Sequence, residues 1–429
     1  MARAERAGAV RGARRGASRL ARRMAMLTPA EALTRILGSV TPLRELERVP
    51  LEQAAGRVLA AELRSDVDLP PFDKSAMDGF AVRSADFAAL GESGARELEL
   101  VGESRAGAPF EGRVSAGACV AIYTGAELPA DCDAVVMVEQ SEQRGQRVLL
   151  RDRPSAGQHV CPRGQDLRTG QSVLAPGRRL RAVDLGVLAA VGCEPVPVVR
   201  RPRVAILTSG DELVAPSERP GVGQIREGNT LHLAAMARAA GAEIVARGVV
   251  RDDPEQLRAA FERALASCDV LLTTGGVSMG KYDLVGEALE ACGVRGQFHR
   301  VAIKPGKPLW FGLKAELPVF ALPGNPVSCL VNHELFVAPA LRRIGGESSP
   351  APRSLPRGRW RGEARPANPR EQHLPVRLEF EADGGVGLVP VRWNGSADVV
   401  GIAASSALAA APLDTPLAPG DLLEYRVLS

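Results

Sequence analysis

Between residues 203 and 345 the chain alternates short apolar runs with amphipathic stretches, and each run ends in glycine, proline or a capping residue. This alternation restricts the fold more than any other feature. Strands linked by helices lie parallel, because a helical crossover returns the chain to the edge it left. Strands are expected at Val204–Leu207, Glu243–Val250, Asp269–Thr273 and Val319–Leu322. Helices are expected from an Asn229 cap through Ala240, from Asp253-Pro254 through Ala266, from an Asp283 cap to just before Gly293, and from Asn325-Pro326 onward. Strands near 298–303 and 308–312 flank the turn Lys304-Pro-Gly-Lys-Pro308. The expectation is a doubly wound parallel sheet that binds its ligand at the carboxyl ends of the strands.

The flanking regions read differently. Thr28 with Glu31 three residues on is a capping box for a helix from Pro29 to Leu37. From 66 to 162, runs such as Cys119–Tyr123 and Ala134–Val138 alternate with Gly- and Pro-bearing turns, the pattern of a small β-domain. A helix near 182–190 ends at Gly192, and Val196-Pro-Val-Val leads toward a linker at Arg200-Arg-Pro202. After a Ser/Pro/Arg-rich stretch at 348–358, residues 359–429 carry short alternating segments, a second small β-domain.

Composition narrows the class. Of 429 residues, 45% are apolar and 24% charged, the balance of a globular chain with real cores, and the length calls for several domains. No apolar run approaches the roughly 20 residues of a membrane span, so no membrane partner is expected. Seven cysteines are scattered without a C-x-x-C pair, and five histidines are equally dispersed, which argues against a zinc module or a disulfide framework and for a reducing cytoplasm. Eight arginines against one acid fall in residues 1–23; the remaining 46 basic and 49 acidic residues leave the body at −3. Residues 1–25 are therefore set outside the fold, as a disordered basic extension or a misassigned start, with translation beginning at Met24 or Met26, and no nucleic-acid partner is expected. Lysine occurs five times against 49 arginines, and four of the five (Lys74, Lys281, Lys304, Lys307) sit inside Gly/Pro/Asp motifs, where a compact point charge is wanted.

The chemistry-bearing motifs cluster at expected strand ends. Thr273-Thr-Gly-Gly-Val-Ser-Met-Gly280 follows a buried strand, and its glycines and hydroxyls, among them Gly275, Gly276 and Ser278, let the backbone approach a bulky anion. It is not a Walker A loop, because Lys281 is followed by Tyr282. Lys304 and Lys307 share one rigid turn, where like charges call for a small oxyanion or phosphate between them. Pro323-Gly-Asn-Pro-Val-Ser328 offers helix-opening N–H groups and the Ser328 hydroxyl. Asp211, Glu212, Asp252 and Asp283 gather at the same edge, the donor type that holds Mg²⁺ while lysines and backbone hold phosphate. Each could instead be a plain helix cap, the reading preferred for Asp253. Far upstream, Pro70-Pro-Phe-Asp-Lys-Ser-Ala-Met-Asp78-Gly79 is dense in polar residues; its bland reading is a hairpin turned at Asp78-Gly79.

In this order and spacing, FDKSAMDGFAV, ILTSGDELV, TTGGVSMGKYD, IKPGKP and LPGNPVS resemble the molybdopterin molybdenumtransferase family, which includes MoeA and the E-domain of gephyrin. The resemblance covers residues 27 to 429. It implies a multidomain α/β plus β protein: a segmented elongated domain (26–65 and 163–200), an inserted β-domain (66–162), a molybdopterin-binding α/β domain (201–347) and a C-terminal β-barrel-like domain (355–429). It implies Mg²⁺, molybdate and adenylylated molybdopterin as substrates, AMP release, a homodimer with a shared active site, and an encounter with a molybdopterin adenylyltransferase. By motif matching, Asp78, Glu212, Asp252, Asp283 and Lys304 take the catalytic roles, and Asp78, Glu212, Asp252 and Asp283 also hold the metal. Thr124, Asp166, Ser209, Gly275, Gly276, Ser278, Lys307, Pro323, Pro326, Ser328 and Ser396 take substrate. Lys74 and Phe80 depart mildly from the family's asparagine and tyrosine. Pro375 stands where the family has an arginine that contacts molybdate, and Arg370 and Arg377 are the candidates to replace it. An adenylyltransferase and a non-catalytic binding scaffold are the competing readings.

Overall fold

The computed structural model describes residues 26–88, 95–276 and 284–428. The expectations placed on residues 1–25 and on Ser278, Lys281 and Asp283 lie outside the described residues. The chain divides into two compact units, residues 61–176 with 182–196, and residues up to 60 with 177–181 and 197–429.

The first of these units is built on a six-stranded sheet ordered Ala134–Met137, Gly79–Val82, Ala118–Ile122, Arg96–Ser104, Arg147–Leu150 and Ser141–Arg144. Its core holds Phe80, Val82, Phe87, Leu98 and Val136. Gly79 opens a central strand that pairs on both sides, so Asp78-Gly79 is not a hairpin turn. A Cβ on Gly79 would sit 2.0 Å from the Val136 carbonyl oxygen, which is why only glycine follows Asp78. The helix Ala182–Ala190 stops just before Gly192, at φ 69°, as the sequence reading placed it.

The larger unit contains the α/β sheet. Its elements are β1 (Arg203–Ser209), α1 (Asn229–Ala239), β2 (Glu243–Val250), α2 (Pro254–Leu265), β3 (Val270–Thr274), α3 (Leu284–Ala291), β4 (Arg295–His299), β5 (Trp310–Lys314), β6 (Leu317–Leu322) and α4 (Pro326–Asn332). The order is β2-β1-β3-β6-β5-β4. The first four strands run parallel. β5 is antiparallel to both neighbours, which corrects the expectation of an all-parallel sheet. Only Ala315 and Glu316 separate β5 from β6, far too few residues for a helical crossover. Helices cover both faces: Leu233, Ala237 and Val331 pack with Ile206 and Phe320 on one, and Leu257, Phe261 and Leu289 with Ala205 and Leu271 on the other. The helix Pro29–Ser39, with its capping box formed as expected, buries Ala32 and Ile36 in the first of these cores.

In the C-terminal region, strands Arg357–Trp360, Glu371–Phe380, Val386–Pro390, Ala407–Ala411 and Leu422–Val427 pair in a closed ring, a five-stranded barrel around Trp360, Leu374, Val376 and Leu388. A short strand, Ile303–Lys304, adds to it in parallel with Glu371 and Gln372. The strand expected at 298–303 is thus two pieces: β4 in the α/β sheet and Ile303–Lys304 on the barrel. Val196–Val199 is a strand, where the sequence suggested only an approach to a linker. No described helix is long and apolar enough to cross a membrane.

Candidate functional site

The sheet order turns around at β1: the chain goes out to β2 and returns to β3 on the other side. A crevice opens at such a reversal, at the carboxyl ends of the strands. Here it is a pocket of about 940 Å³ lined by Thr208 and Ser209 at the end of β1, Glu212, Gly275 after β3, and Gly324, Asn325 and Pro326 after β6. Glu227, Asn229 and His232 line it from the start of α1, and Ala397, Val399, Ile402 and Leu428 from the C-terminal region. Its size and mixed lining suit an organic ligand with polar groups.

The glycine loop is shaped by close approach. Gly275 has φ 90° and Gly276 φ 62°. A Cβ on Gly275 would lie 2.4 Å from the Ser209 carbonyl oxygen, and one on Gly276 2.6 Å from Val285 Cγ2. The strand ends therefore pinch together, as only glycine allows. The buried Ser209 hydroxyl lines this crevice and has no hydrogen-bond partner among the described residues. Such a group is normally satisfied in a native site, so it marks a place for a ligand atom.

The turn after β6 is tied to its neighbours. Thr274 Oγ1 donates to the Pro323 carbonyl (2.9 Å), as does Cys329 Sγ (2.7 Å). Burial pushes the Cys329 thiol up to about 12, so it stays protonated as a donor. Asn325 Nδ2 donates to Ser396 Oγ (2.8 Å), and Val327 N to the Ser396 carbonyl (3.0 Å), so PGNP and Ser396 form one edge.

Asn229 was read as a helix cap, and the structure assigns that role elsewhere. Glu227 accepts from Thr230 N and Thr230 Oγ1, both at 2.7 Å, and so closes the start of α1. The freed Asn229 amide donates to the Gly324 carbonyl (2.6 Å), joining α1 to the PGNP turn. Sequence reasoning missed Glu227, Asn229 and His232 as pocket residues; the signal available was the Glu-Gly-Asn-Thr run before an apolar helix. Burial, followed by the nearby His333, lowers the His232 pKa and keeps its ring neutral.

In the other compact unit, two expected site residues meet across 46 positions. Thr124 donates to Asp78 Oδ1 from both its backbone N and its Oγ1, each at 2.7 Å. The backbone bond first, then the hydroxyl, lowers the Asp78 pKa, so this exposed carboxylate is held ionised. Asp166 is exposed in the same unit and shares no hydrogen bond with them among the described residues.

Several expectations are corrected. Lys304 is exposed and lines a pocket with Arg365, Gln372 and Arg392, whereas Lys307 is half-buried, lines neither pocket, and uses its carbonyl to accept from Val301 N and Leu309 N. Of the two lysines expected to bracket one anion, Lys304 lines that pocket and Lys307 does not. Ser328 is buried inside α4 and reaches neither pocket. Pro323 acts through its carbonyl, while Pro326 lines the pocket. Of the two candidates to replace the arginine absent at Pro375, Arg377 is exposed and pairs with Glu379 at 3.3 Å, and Arg370 lines neither pocket. Asp253 caps α2 through Gln256 N, as expected. Asp252 is exposed and outside the pocket. Among the described residues, no group of three or more His, Cys, Asp or Glu converges to hold a metal. Of the carboxylates expected to hold metal, Glu212 lines the pocket, and Mg²⁺ takes one or two carboxylates and completes its shell with water and substrate phosphates.

A doubly wound sheet with a glycine-pinched crevice, followed by a closed barrel, defines a ligand-binding α/β protein with added β-domains. The comparisons make the class particular. The description "MoeA N-terminal region (domain I and II)" matches residues 27–192, and "Probable molybdopterin binding domain" matches residues 205–343. A molybdopterin molybdenumtransferase of Nostoc sp. is 33% identical over 394 residues, covering 90% of this chain and 89% of its own. One of Synechococcus elongatus is 40% identical over 330 residues, covering 75% and 81%. A solved molybdopterin biosynthesis MoeA protein of Pyrococcus horikoshii has a TM-score of 0.81 at 29% identity, covering 94% of this chain and all of that one. The chain belongs to the molybdopterin molybdenumtransferase family, and it is a transferase.

Proposed function

We propose that this chain inserts molybdenum from molybdate into adenylylated molybdopterin, releasing AMP and forming molybdenum cofactor. The observation that carries the reading is the crevice between β1 and β3, with its Ser209 hydroxyl unpartnered among the described residues and its glycine-shaped floor, in a segment matching the molybdopterin-binding family. The absence of side chains at Gly275 and Gly276 lets the ends of β1 and β3 close up against Ser209 and Val285 beside the crevice, which leaves backbone rather than side chain facing a phosphate-bearing pterin at Gly275. Ser209 donates to it, and the Asn229–Gly324 bond holds the opposite wall. Asp78, kept ionised by Thr124, is a proton acceptor and a cation ligand. Mg²⁺, held at Glu212 with substrate phosphate, would supply charge neutralisation at the adenylyl phosphate. The same reading includes a homodimer with a shared site, a cytoplasmic location and an encounter with a molybdopterin adenylyltransferase. The adenylyltransferase activity itself is disfavoured, because the relatives are molybdenumtransferases over most of their length.

The test is cofactor assembly from purified adenylylated molybdopterin, Mg²⁺ and molybdate. AMP release that depends on molybdate, with reconstitution of a molybdenum-free apoenzyme, is expected. An adenylylated product formed from ATP and molybdopterin, without molybdate-dependent AMP release, would overturn the reading. For the shared site, Asp78→Asn and Glu212→Asn chains, each inactive alone, are mixed and allowed to exchange. Partial recovery is expected, and no recovery despite demonstrated exchange rules the shared site out.

A further inference from the structure

Against the barrel lies a second pocket, of about 370 Å³, bounded by Lys304, Arg365, Gln372, Arg392, Trp393 and Gly395. Among the described residues, no carboxylate lines it. Its cations come from three separate places. Lys304 ends the short strand added to the barrel edge, and its register partner there is Gln372, itself more than nine-tenths buried. Arg365 is fixed by reciprocal backbone bonds with Leu417 (2.7 and 2.9 Å), and its guanidinium lies 5.5 Å from the centre of the Trp360 ring. Arg392 follows the strand Val386–Pro390 and is exposed.

Among the described residues, none of the three makes an ion pair, although arginines elsewhere commonly do, as in Arg57–Glu47, Arg179–Glu347 and Arg200–Asp269. Of the acids nearby, Glu371 lies 3.0 Å from His373 Nε2, and the exposed Glu363 lines an adjoining groove that Arg365 and Arg392 also border, without an ion pair to either among the described residues. Three unneutralised cations in one concavity repel unless an anion sits among them. Guanidinium groups offer paired donors suited to oxyanions. Pro375, in place of the arginine, lies on the strand that also supplies Gln372 and Leu374, and its carbonyl accepts from Val391, another lining residue.

We infer that Arg365 and Arg392 bind a tetrahedral dianion together with Lys304, and so supply the guanidinium charge missing at Pro375. The inference rests on the reading of function above, under which the dianion is molybdate. A phosphate of the substrate has the same chemistry and is separated from molybdate by the test.

The experiment uses the full chain and its Lys304→Ala, Arg365→Gln, Arg392→Gln and Arg392→Lys variants. Equilibrium dialysis measures binding of molybdate, inorganic phosphate and AMP, and cofactor assembly is titrated with molybdate. Arg365→Gln and Arg392→Gln should each weaken molybdate binding roughly ten- to a hundredfold, the loss expected for one charge-assisted bond, and raise the molybdate KM in step. The kcat at saturating molybdate and the affinity for AMP should stay within about twofold, and Arg392→Lys should recover part of the loss. Arg365 packs on Trp360, so thermal unfolding accompanies each variant; if Arg365→Gln unfolds, the exposed Arg392 decides the matter alone. Unchanged molybdate affinity in Arg392→Gln, with a loss in Lys304→Ala, overturns the inference and leaves the function standing. Weakened phosphate and AMP binding with molybdate unaffected assigns the pocket to a substrate phosphate and overturns the molybdate assignment. If the wild-type chain neither binds molybdate nor assembles cofactor, the reading of function falls, and this inference with it.

Discussion

Replacing Gly275 with alanine tests whether the crevice is shaped by backbone contact. The added Cβ meets the Ser209 carbonyl oxygen at 2.4 Å, a backbone atom at the end of β1 that cannot rotate away. The residue's φ of 90° adds strain of about 1–2 kcal/mol for any residue with a side chain. Pushing β1 and β3 apart adds overpacking of about 1–3 kcal/mol. The sum is roughly 2–5 kcal/mol, which at the ~2–4 °C per kcal/mol of a 150–250-residue domain lowers the Tm of the α/β domain by about 4–20 °C. Gly324→Ala is an internal control in the same pocket: its Cβ would meet Gly275 Cα at 3.6 Å, ordinary contact without positive φ. Calorimetry should therefore separate two glycine-to-alanine changes a few ångströms apart. If Gly275→Ala melted within about 2 °C of the wild type, the close approach of the strand ends would be wrong.

Other outcomes follow from named contacts. Asn229→Ala, which cuts the bond to Gly324 while leaving the Glu227 cap, should cost about 0.5–1.5 kcal/mol and loosen the PGNP turn, read by hydrogen exchange at Asn325 and Val327; unchanged protection would refute it. Glu227→Ala should cost about 1–2 kcal/mol by uncapping α1, and helical content that melts at the wild-type midpoint would contradict that. Thr124→Val should move the Asp78 titration up toward the ordinary carboxylate range, followed by carboxyl-carbon NMR; an unmoved titration means the hydroxyl does not hold the charge. Burial raises the Asp269 pKa, but the hydrogen bonds from Arg200, then from Arg203, outweigh it and leave the pKa lowered. A depressed folded pKa stabilises above the unfolded value of about 3.9 and is lost as pH falls through the folded one. Asp269→Asn should therefore destabilise by up to about 3 kcal/mol at pH 7, with the gap to wild type closing below about pH 4; a gap independent of pH would sink the assignment.

The parts of this protein that were legible in sequence are those governed by local rules. The capping box at Thr28 and Glu31, the Asp253 cap, the stop near Gly192 and the strands from Arg203 to Leu322 follow from side-chain period and backbone dihedral preference, which act over a few residues. The glycines after β3 were legible as a place where backbone comes close, and the structure supplied the reason in Ser209 and Val285. What the sequence could not assign was which distant groups share a site. Thr124 reaches Asp78 across 46 positions, Asn229 reaches Gly324 across 95, and Asn325 reaches Ser396 across 71. Lys304 and Lys307 are neighbours on one turn, yet only Lys304 opens onto the pocket, because its strand leaves the α/β sheet to pair with the barrel. Arg365 and Arg392 carry no motif at all; they share a cavity because strand pairing closes the barrel and brings its loops together. Periodicity fixes which face of an element is buried, but strand pairing and barrel closure decide which elements meet, and the charges of this site lie at those meeting points.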